Sequence, residues 1–359
     1  MSEIRDILLT TTEKILKDHC TKEVITKVEQ GIWPAPLWDT LEETGITNIS
    51  IPVEMQGSGG SLGDALSVLQ AAGRFAAPIP LAETLLSKWV LSTCNLPFPD
   101  GPLAIVMPSS TDSVKFTNTP AGWDISGTAK KVSWARFAKA IVVLGYCGDS
   151  LVAALLHPDL LTINNGENLA GESLDEVIFN HVGVEIENVK TMTSHMDETA
   201  IFTRAALTRI ALMSGALERV LELSVSYAKE REQFGRSIGR FQAVQQQLAI
   251  LAGEVTAAGV ASNMAISDSE EEASWPSIAL AKIRLGQAAG TVTPIAHQIH
   301  GAIGFTDEHV LQQYTRRLWA WREEFGNETV WAARLGERIL SHGSESLYPL
   351  VTNINQIRL

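Results

Sequence analysis

The sequence predicts an α+β protein in three successive zones: a helical segment, a small β-domain and a helical bundle. Three observations carry this expectation. Apolar residues recur at helical spacing over 1–100. Short apolar runs separated by turn residues replace them over 101–195. Helical spacing then returns over 196–345, leaving a short tail, 346–359. A chain of 359 residues is too long for one ordinary core and suits two or three packed domains. A hydrophobic fraction of 45% beside 19% charged residues is the composition of a globular chain.

In the first zone Ile4, Ile7, Leu8 and Thr11 begin an apolar stripe. The glycine-rich loop over 51–61 breaks the helices, and Ser61 stands where it can cap a helix over 62–74. In the second zone the runs Leu103–Met107, Ala140–Leu144, Leu151–Leu156 and Glu176–Phe179 read as strands. Turn residues at Ala121-Gly122, Ser126-Gly127 and Asn165-Gly166 separate them, which predicts a small β-barrel or sandwich. In the third zone Leu207, Ile210, Met213, Leu217, Val220, Ser224 and Tyr227 mark one long amphipathic helix. Phe241, Val244, Leu248, Leu251, Val255 and Ala258 mark a second. After the acidic loop over 267–273, two more helices are expected from Pro276 and from near Glu308, completing a four-helix bundle.

Charge and cysteine usage narrow the function. A net charge of -13 and a pI near 5.1 argue against nucleic acid and anionic membrane surfaces as partners, because both need a basic patch. A few local arginines still suffice for one pyrophosphate. Cys20, Cys94 and Cys147 are far apart and form no C-x-x-C pair, so neither a disulfide framework nor a zinc site is expected, and a reducing cytosol fits. The first residues carry acids and no long apolar core, unlike a signal peptide. No uninterrupted apolar run has bilayer-spanning length. A soluble cytoplasmic protein is expected.

Two short motifs carry chemistry. In Arg231-Glu-Gln-Phe-Gly235, followed by Phe241-Gln242, a guanidinium fork can hold two phosphate oxygens and a glycine permits a sharp turn. Alone, this reads rather as a polar helix end closed by a glycine. In Gln298-Ile-His-Gly-Ala-Ile-Gly-Phe305, small residues let a ligand approach the backbone, although alone this reads rather as a helix-terminating turn. His297, His300 and His309 have no convergent carboxylates at ligand spacing, so no metal is expected.

Taken together, and followed by a helix ending Arg-Glu-Glu-Phe-Gly-Asn-Glu328, these motifs resemble those of the acyl-CoA dehydrogenase family. The helix–β–helix layout extends the resemblance over nearly the whole chain. It implies that family's fold and an FAD cofactor. Arg231, Gln233, Phe234, Ile238, Phe241, Gln242, Gln298, Gly301 and Ala302 would meet the adenosine–pyrophosphate half of an FAD bound mainly by an adjacent subunit. Ala302 stands where the family prefers glycine. The implied reaction is α,β-desaturation of an acyl-CoA, with electrons passing to an electron-transfer flavoprotein.

The sequence departs from the family pattern where the flavin ring and acyl thioester belong. The family's threonine-glutamate-proline loop and following Gly-Ser-Asp have no counterpart, since Met107-Pro-Ser-Ser-Thr-Asp-Ser113 runs almost directly into the next strand. The family's Trp-x-Thr/Ser strand corresponds to Val132-Ser133-Trp134, where Trp134 reads as core packing or as a shifted flavin contact. The position of the catalytic glutamate falls on Phe325, beside a retained Gly326. Tyr314, Leu318, Trp321 and Phe325 step by four, three and four, which predicts one helix face. Glu324 would be turned about 100° away on that helix, on a salt-bridged or solvated face. Some family members place the base near the start of the first long C-terminal helix, but Phe202, Thr203, Arg204, Ala205 and Ala206 include no glutamate.

The resemblance therefore implies a chain that keeps the motifs serving a neighbour's flavin and lacks its own ring half and base. Such a chain suits the non-basic subunit of an α₂β₂ enzyme, a type known among bacterial enzymes that degrade steroid side chains. A self-sufficient homo-oligomer using Glu324 as base, and a non-catalytic stabilising subunit, are the alternatives.

Overall fold

The computed structural model describes residues 3–109, 112–193, 196–269, 275–343 and 348. Ser110, Thr111, residues 270–273 of the acidic loop and nearly all of the 346–359 tail lie outside the described residues.

Among the described residues five α-helices come first: α1 (Glu3–His19), α2 (Lys22–Glu29), α3 (Ala35–Glu43), α4 (Leu62–Arg74) and α5 (Leu81–Thr93). Local chemistry sets their ends. Thr21 accepts from the Val24 N–H to cap α2. At α4 the Ser61 hydroxyl accepts from the Asp64 N–H at 3.1 Å, and the Asp64 carboxylate accepts from the Ser61 N–H at 2.9 Å. Two orphan donors are thereby satisfied reciprocally.

Among the described residues eight strands follow: β1 (Leu103–Val106), β2 (Lys115–Thr119), β3 (Gly122–Ser133), β4 (Ala140–Cys147), β5 (Ser150–Leu156), β6 (Thr162–Asn164), β7 (Leu174–Val184) and β8 (Val189–Thr191). They form two four-stranded sheets, ordered β1-β4-β5-β8 and β2-β3-β7-β6. Among the described residues only β1 and β4 pair in parallel. Ala104, Val106, Ile141 and Val143 of the first sheet share one apolar cluster with Phe116, Ile125, Val177 and Phe179 of the second. This is sandwich packing, in which two inner faces interdigitate.

The remaining elements are α6 (Glu198–Glu230), a hairpin of β9 (Glu232–Gln233) and β10 (Arg236–Ser237), α7 (Gln242–Asp268), α8 (Trp275–His300), α9 (Leu311–Glu323) and α10 (Glu328–His342). The last helix expected from Glu308 thus begins at Leu311 and stops at Glu323, and α10 follows as a separate helix. Helices α6 and α7 are also long and apolar enough, by length and average composition, to cross a bilayer, although neither contains an uninterrupted apolar run of that length. Isolated polar residues interrupt those runs without lowering the average. The most apolar stretch of α6 is 78% buried, as in a core helix, whereas that of α7 is only 33% buried.

The chain divides into two compact units. One comprises Asp18–Ala65 and Pro78–Arg204, and includes both sheets. The other comprises Met1–Lys17, Leu66–Ala77 and Ala205–Leu359. In this second unit α4 and α6 touch backbone to backbone. A Cβ on Gly73 would lie 1.9 Å from the Leu212 carbonyl oxygen, and one on Gly215 would lie 1.9 Å from that of Gln70. Polar contacts flank this crossing: Gln70 donates to Ser214 at 3.2 Å, and Arg74 grips Glu222 at 2.5 Å.

Candidate functional site

Helix α6 ends one residue before the first motif, and the Arg231 N–H still donates to the Tyr227 carbonyl at 2.8 Å. The chain then reverses through β9 and β10, with Gln233 facing Arg236. Phe234 (φ +52°) and Gly235 (φ +77°) form the two-residue turn, both in the left-handed region. Such turns match the twist of a hairpin but favour Asn-Gly, and phenylalanine there strains the backbone. Phe234 is nonetheless 92% exposed, its ring set edge-to-face with Phe241 at 6.1 Å. The Arg236 guanidinium lies 4.3 Å over the Phe241 ring. The Ile238 N–H donates back to the Arg231 carbonyl at 2.8 Å, fastening the hairpin before α7 starts. Arg231, Gln233 and Gln242 are exposed, while Ile238 and Phe241 are half-buried.

The second motif closes α8 and continues into a 3₁₀ turn over Gly301–Phe305. Gly301 has φ +65° and nothing within 4 Å of where a Cβ would stand. Conformation, rather than crowding within the chain, therefore calls for glycine there, and the space beside it is open. Gln298, Gly301 and Ala302 are exposed. Tyr227, one helical turn before Arg231, stacks on His300, immediately before Gly301, at 4.5 Å. That stack brings the two motifs together. His300 Nδ1 donates to the Ala296 carbonyl at 2.7 Å, and the His297 ring stacks on Phe305 at 4.0 Å. Burial pushes both imidazoles below their ordinary value, so both are neutral near pH 7. Among the described residues no group of three His, Cys, Asp or Glu side chains could hold a metal ion.

The region of the expected base differs from its sequence reading. Glu324 is extended (φ -72°, ψ 136°), Phe325 is left-handed (φ +53°) and Gly326 likewise (φ +84°). Phe325 therefore lies beyond α9 and does not continue the face of Tyr314, Leu318 and Trp321. The causes are distant in sequence. Lys282 of α8 donates to the carbonyls of Trp321 at 3.3 Å and Arg322 at 2.9 Å, satisfying the end of α9. Arg322 also pairs with Glu328, whose carboxyl it holds below the usual range. Trp331 Nε1 donates to the Phe325 carbonyl at 2.9 Å, and Asn327 caps α10.

Glu324 sits on no helix face; it accepts from Arg209 Nε at 2.5 Å. Arg209 is 3% exposed, and its guanidinium lies 5.0 Å over the Phe325 ring. The carboxylate immediately preceding position 325 is thus committed to a buried cation. Burial lowers the Lys282 ammonium to about 7. Sequence reading missed both Arg209 and Lys282, although each is a lone cation inside an apolar helical run, Leu207–Leu212 and Ile278–Ile283. Such a residue is costly unless paired, which was the available signal.

In the β-sandwich, Trp134 is buried and left-handed (φ +61°), one residue beyond β3. Its N–H donates to the Ser173 carbonyl at 3.1 Å and its indole tilts against Phe137 at 6.0 Å. The residue packs the core, and the strand ends before it. Asp112 and Ser113 lie against β3: the Ser113 N–H donates to the Thr128 carbonyl, and the Lys130 N–H to Asp112.

A family model for the C-terminal domain of acyl-CoA dehydrogenases matches residues 197–340. The acyl-CoA dehydrogenase IpdE2 of Mycolicibacterium smegmatis is 30% identical over 321 residues, covering 88% of this chain and 93% of that protein. The chain belongs to the acyl-CoA dehydrogenase family. FadE27 of Mycobacterium tuberculosis, also an acyl-CoA dehydrogenase, is 26% identical over 91% of the chain and 94% of its own length. Among solved structures, the ChsE4–ChsE5 complex from M. tuberculosis superposes with a TM-score of 0.87 at 23% identity, covering 95% of this chain and 98% of the matched one. Butyryl-CoA dehydrogenase from Megasphaera elsdenii gives 0.86 at 19%, covering 95% and 99%. The fold is that of acyl-CoA dehydrogenases: a helical N-terminal part, a β-sheet middle and a helical C-terminal part. The family's cofactor is FAD.

Proposed function

We propose that this chain is the base-lacking subunit of a heteromeric, α₂β₂ acyl-CoA dehydrogenase, in which it completes the FAD site of a partner subunit. One observation carries the reading: the residues expected to meet FAD are largely exposed while position 325 holds a ring instead of a carboxylate. The donor set fits the adenosine–pyrophosphate half of FAD. Arg231 offers a guanidinium fork, Gln233, Gln242 and Gln298 offer amides, and the turn at Gly301 and Ala302 leaves open space. Ile238, Phe234 and Phe241 supply apolar surface beside these donors. A motif of this kind, with an exposed phenylalanine at its tip, suits a contact completed by a second subunit.

The chain's own residues then orient and exclude. Arg209 and Phe325 fill the neighbourhood of the usual base, and the Glu324 carboxylate cannot accept a substrate proton without leaving its buried guanidinium. Bound FAD supplies the two-electron oxidation of the Cα–Cβ bond of the acyl thioester. The partner subunit contributes the carboxylate that removes the α-proton. An electron-transfer flavoprotein is the proposed acceptor, the cytoplasm the proposed location and a steroid side-chain thioester the proposed substrate. A further similar structure, the Tcur3481–Tcur3483 variant, is that of a steroid acyl-CoA dehydrogenase, which supports that choice.

The test is the flavin-to-protein ratio of the chain purified alone and after co-expression with an acyl-CoA dehydrogenase-like partner. The expected result is a colourless chain alone and about one FAD per heterodimer together. Stoichiometric flavin with turnover in the isolated homo-oligomer would overturn the proposal.

A further inference from the structure

Behind the second motif, two histidine rings carry buried nitrogens that the flavin-facing residues do not use. His300 is 3% exposed. Its ring stacks on Tyr227 of α6 at 4.5 Å and tilts against His309, from the loop before α9, at 4.6 Å. Its Nδ1 donates to the Ala296 carbonyl, while among the described residues its buried Nε2 has no hydrogen-bond partner. One helical turn earlier His297 repeats the pattern. Its Nε2 pairs with the Thr315 hydroxyl at 2.9 Å, and its buried Nδ1 has no hydrogen-bond partner among the described residues. Two phenylalanines would fill this space without a desolvated lone pair, so packing alone does not account for the imidazoles.

The rings are built into both flavin-facing motifs. The Tyr227 carbonyl accepts the Arg231 N–H at 2.8 Å, so the hairpin hangs from the residue that stacks. Gly301 follows His300 directly. Gly304, in the same turn, lies against both imidazoles: a Cβ there would stand 3.0 Å from the His300 Cβ and 3.2 Å from the His297 Nδ1. In packing this close, a ring that leaves its place displaces the turn.

Burial is the largest influence on each ring, and it disfavours a proton; the Ala296 and Leu223 carbonyls favour one on His300 less strongly. The titratable groups around His300 are His297 on its own helix, Tyr227 from α6 and His309 from the loop before α9. Among the described residues no carboxylate acts on either buried ring, and a charge on His300 opposes one on His297. A proton taken from water by Nε2 therefore meets no counter-charge, and the imidazolium regains its hydration by leaving the stack. A hydrated ring takes its proton near the ordinary value of 6.5 and the stacked ring only lower, so acid below that point favours the open form.

We infer that His300 is a positioning residue for the flavin site and an acid-sensitive latch: neutral, it holds the Gly301 turn to the end of α6; protonated, it frees that turn and FAD is released. The inference rests on the FAD half-site reading above and adds the regulation of that site.

Flavin release from the FAD-bearing, co-expressed assembly tests this, read as free-flavin fluorescence at about pH 7.5 and about pH 5.5. Wild type should lose FAD affinity about five-fold or more at the lower pH. His300→Phe keeps a ring in the stack and takes no proton, so its affinity should be the same at both. His300→Gln should likewise be insensitive to pH, and His300→Ala should bind about ten-fold or more weakly at either. Amide exchange of the Gly301–Phe305 turn in wild type, corrected for its intrinsic pH dependence, needs no variant: protection should fall with pH.

Equal FAD retention by wild type at both pH values would overturn the inference, as would unchanged protection of the turn. So would a wild-type pH profile in His300→Phe, which would assign the titration to another group, or full affinity in His300→Ala. If the assembly binds no FAD even at neutral pH, the half-site reading falls as well, an outcome distinct from binding that ignores pH.

Discussion

Lys282 shows how one side chain can set the shape of a loop forty residues away. Its buried ammonium holds two carbonyls at the end of α9, and the chain leaves the helix there, carrying Phe325 into a left-handed conformation. The same burial makes stability depend on pH. The folded value of about 7 lies below the 10.5 of an ordinary lysine, so between those limits the unfolded chain holds a proton that the folded chain has released. Unfolding then takes up a proton, and stability rises with pH across that window. Below about pH 7 both states are protonated and the folded state bears the full cost of the buried charge. Melting temperatures of wild type and Lys282→Met, compared at about pH 6.5 and about pH 9, should move in the wild type's favour at the higher pH. A gap independent of pH would mean that the ammonium is not depressed. Of this residue-level picture the sequence disclosed the substitution at 325 and the absence of a nearby free base. It did not disclose the conformation, because Lys282 and Arg209 act from other helices.

Among the elements, α4 was legible to its end residues because its signals are local: a serine cap, an apolar period and a basic last turn. The long helices α6 and α7 were legible for the same reason. The break between α9 and α10 was not. The apolar steps of four, three and four continue through position 325, and periodicity cannot register a side chain that satisfies carbonyls from outside the helix. Nor does periodicity reveal which glycines matter. At Gly215 a methyl group would meet the Gln70 carbonyl at 1.9 Å, so α4 and α6 would have to separate. Gly215→Ala should cost about 3 kcal/mol, read as a lowered urea midpoint. At Gly253, within α7, nothing stands within 4 Å, and alanine should instead raise the stability of the isolated chain by about 0.5–1 kcal/mol. If both substitutions behaved alike, the α4–α6 crossing would be looser than described.

On the scale of the whole molecule, the fold was read from its alternation of periodicities, while the site was read from two motifs that only tertiary structure joins. What ties the end of α6 to the end of α8 is the stack of Tyr227 on His300, two residues that no spacing rule relates. Helix α7 is thinly covered, and every exposed residue on it, including Ala249, Ile250, Gly253, Ala257 and Val260, is uncharged. An uncharged helical face of this length suits burial against another subunit. Ala257→Glu should therefore leave the melting curve of the dilute chain nearly unchanged while shifting sedimentation toward smaller species. An unchanged oligomer would move the interface elsewhere.

The hairpin tip has a further consequence for the protein's life in a cell. Phe234 stands 92% exposed on a strained turn of four strand residues, a feature a lone folded chain has no use for. Until something covers it, the tip presents chaperones and proteases with the bare aromatic side chain and accessible backbone that mark incomplete proteins for removal. Surplus copies would then be short-lived, and the abundance of this chain would follow that of whatever shields Phe234, balancing the two without any dedicated regulator.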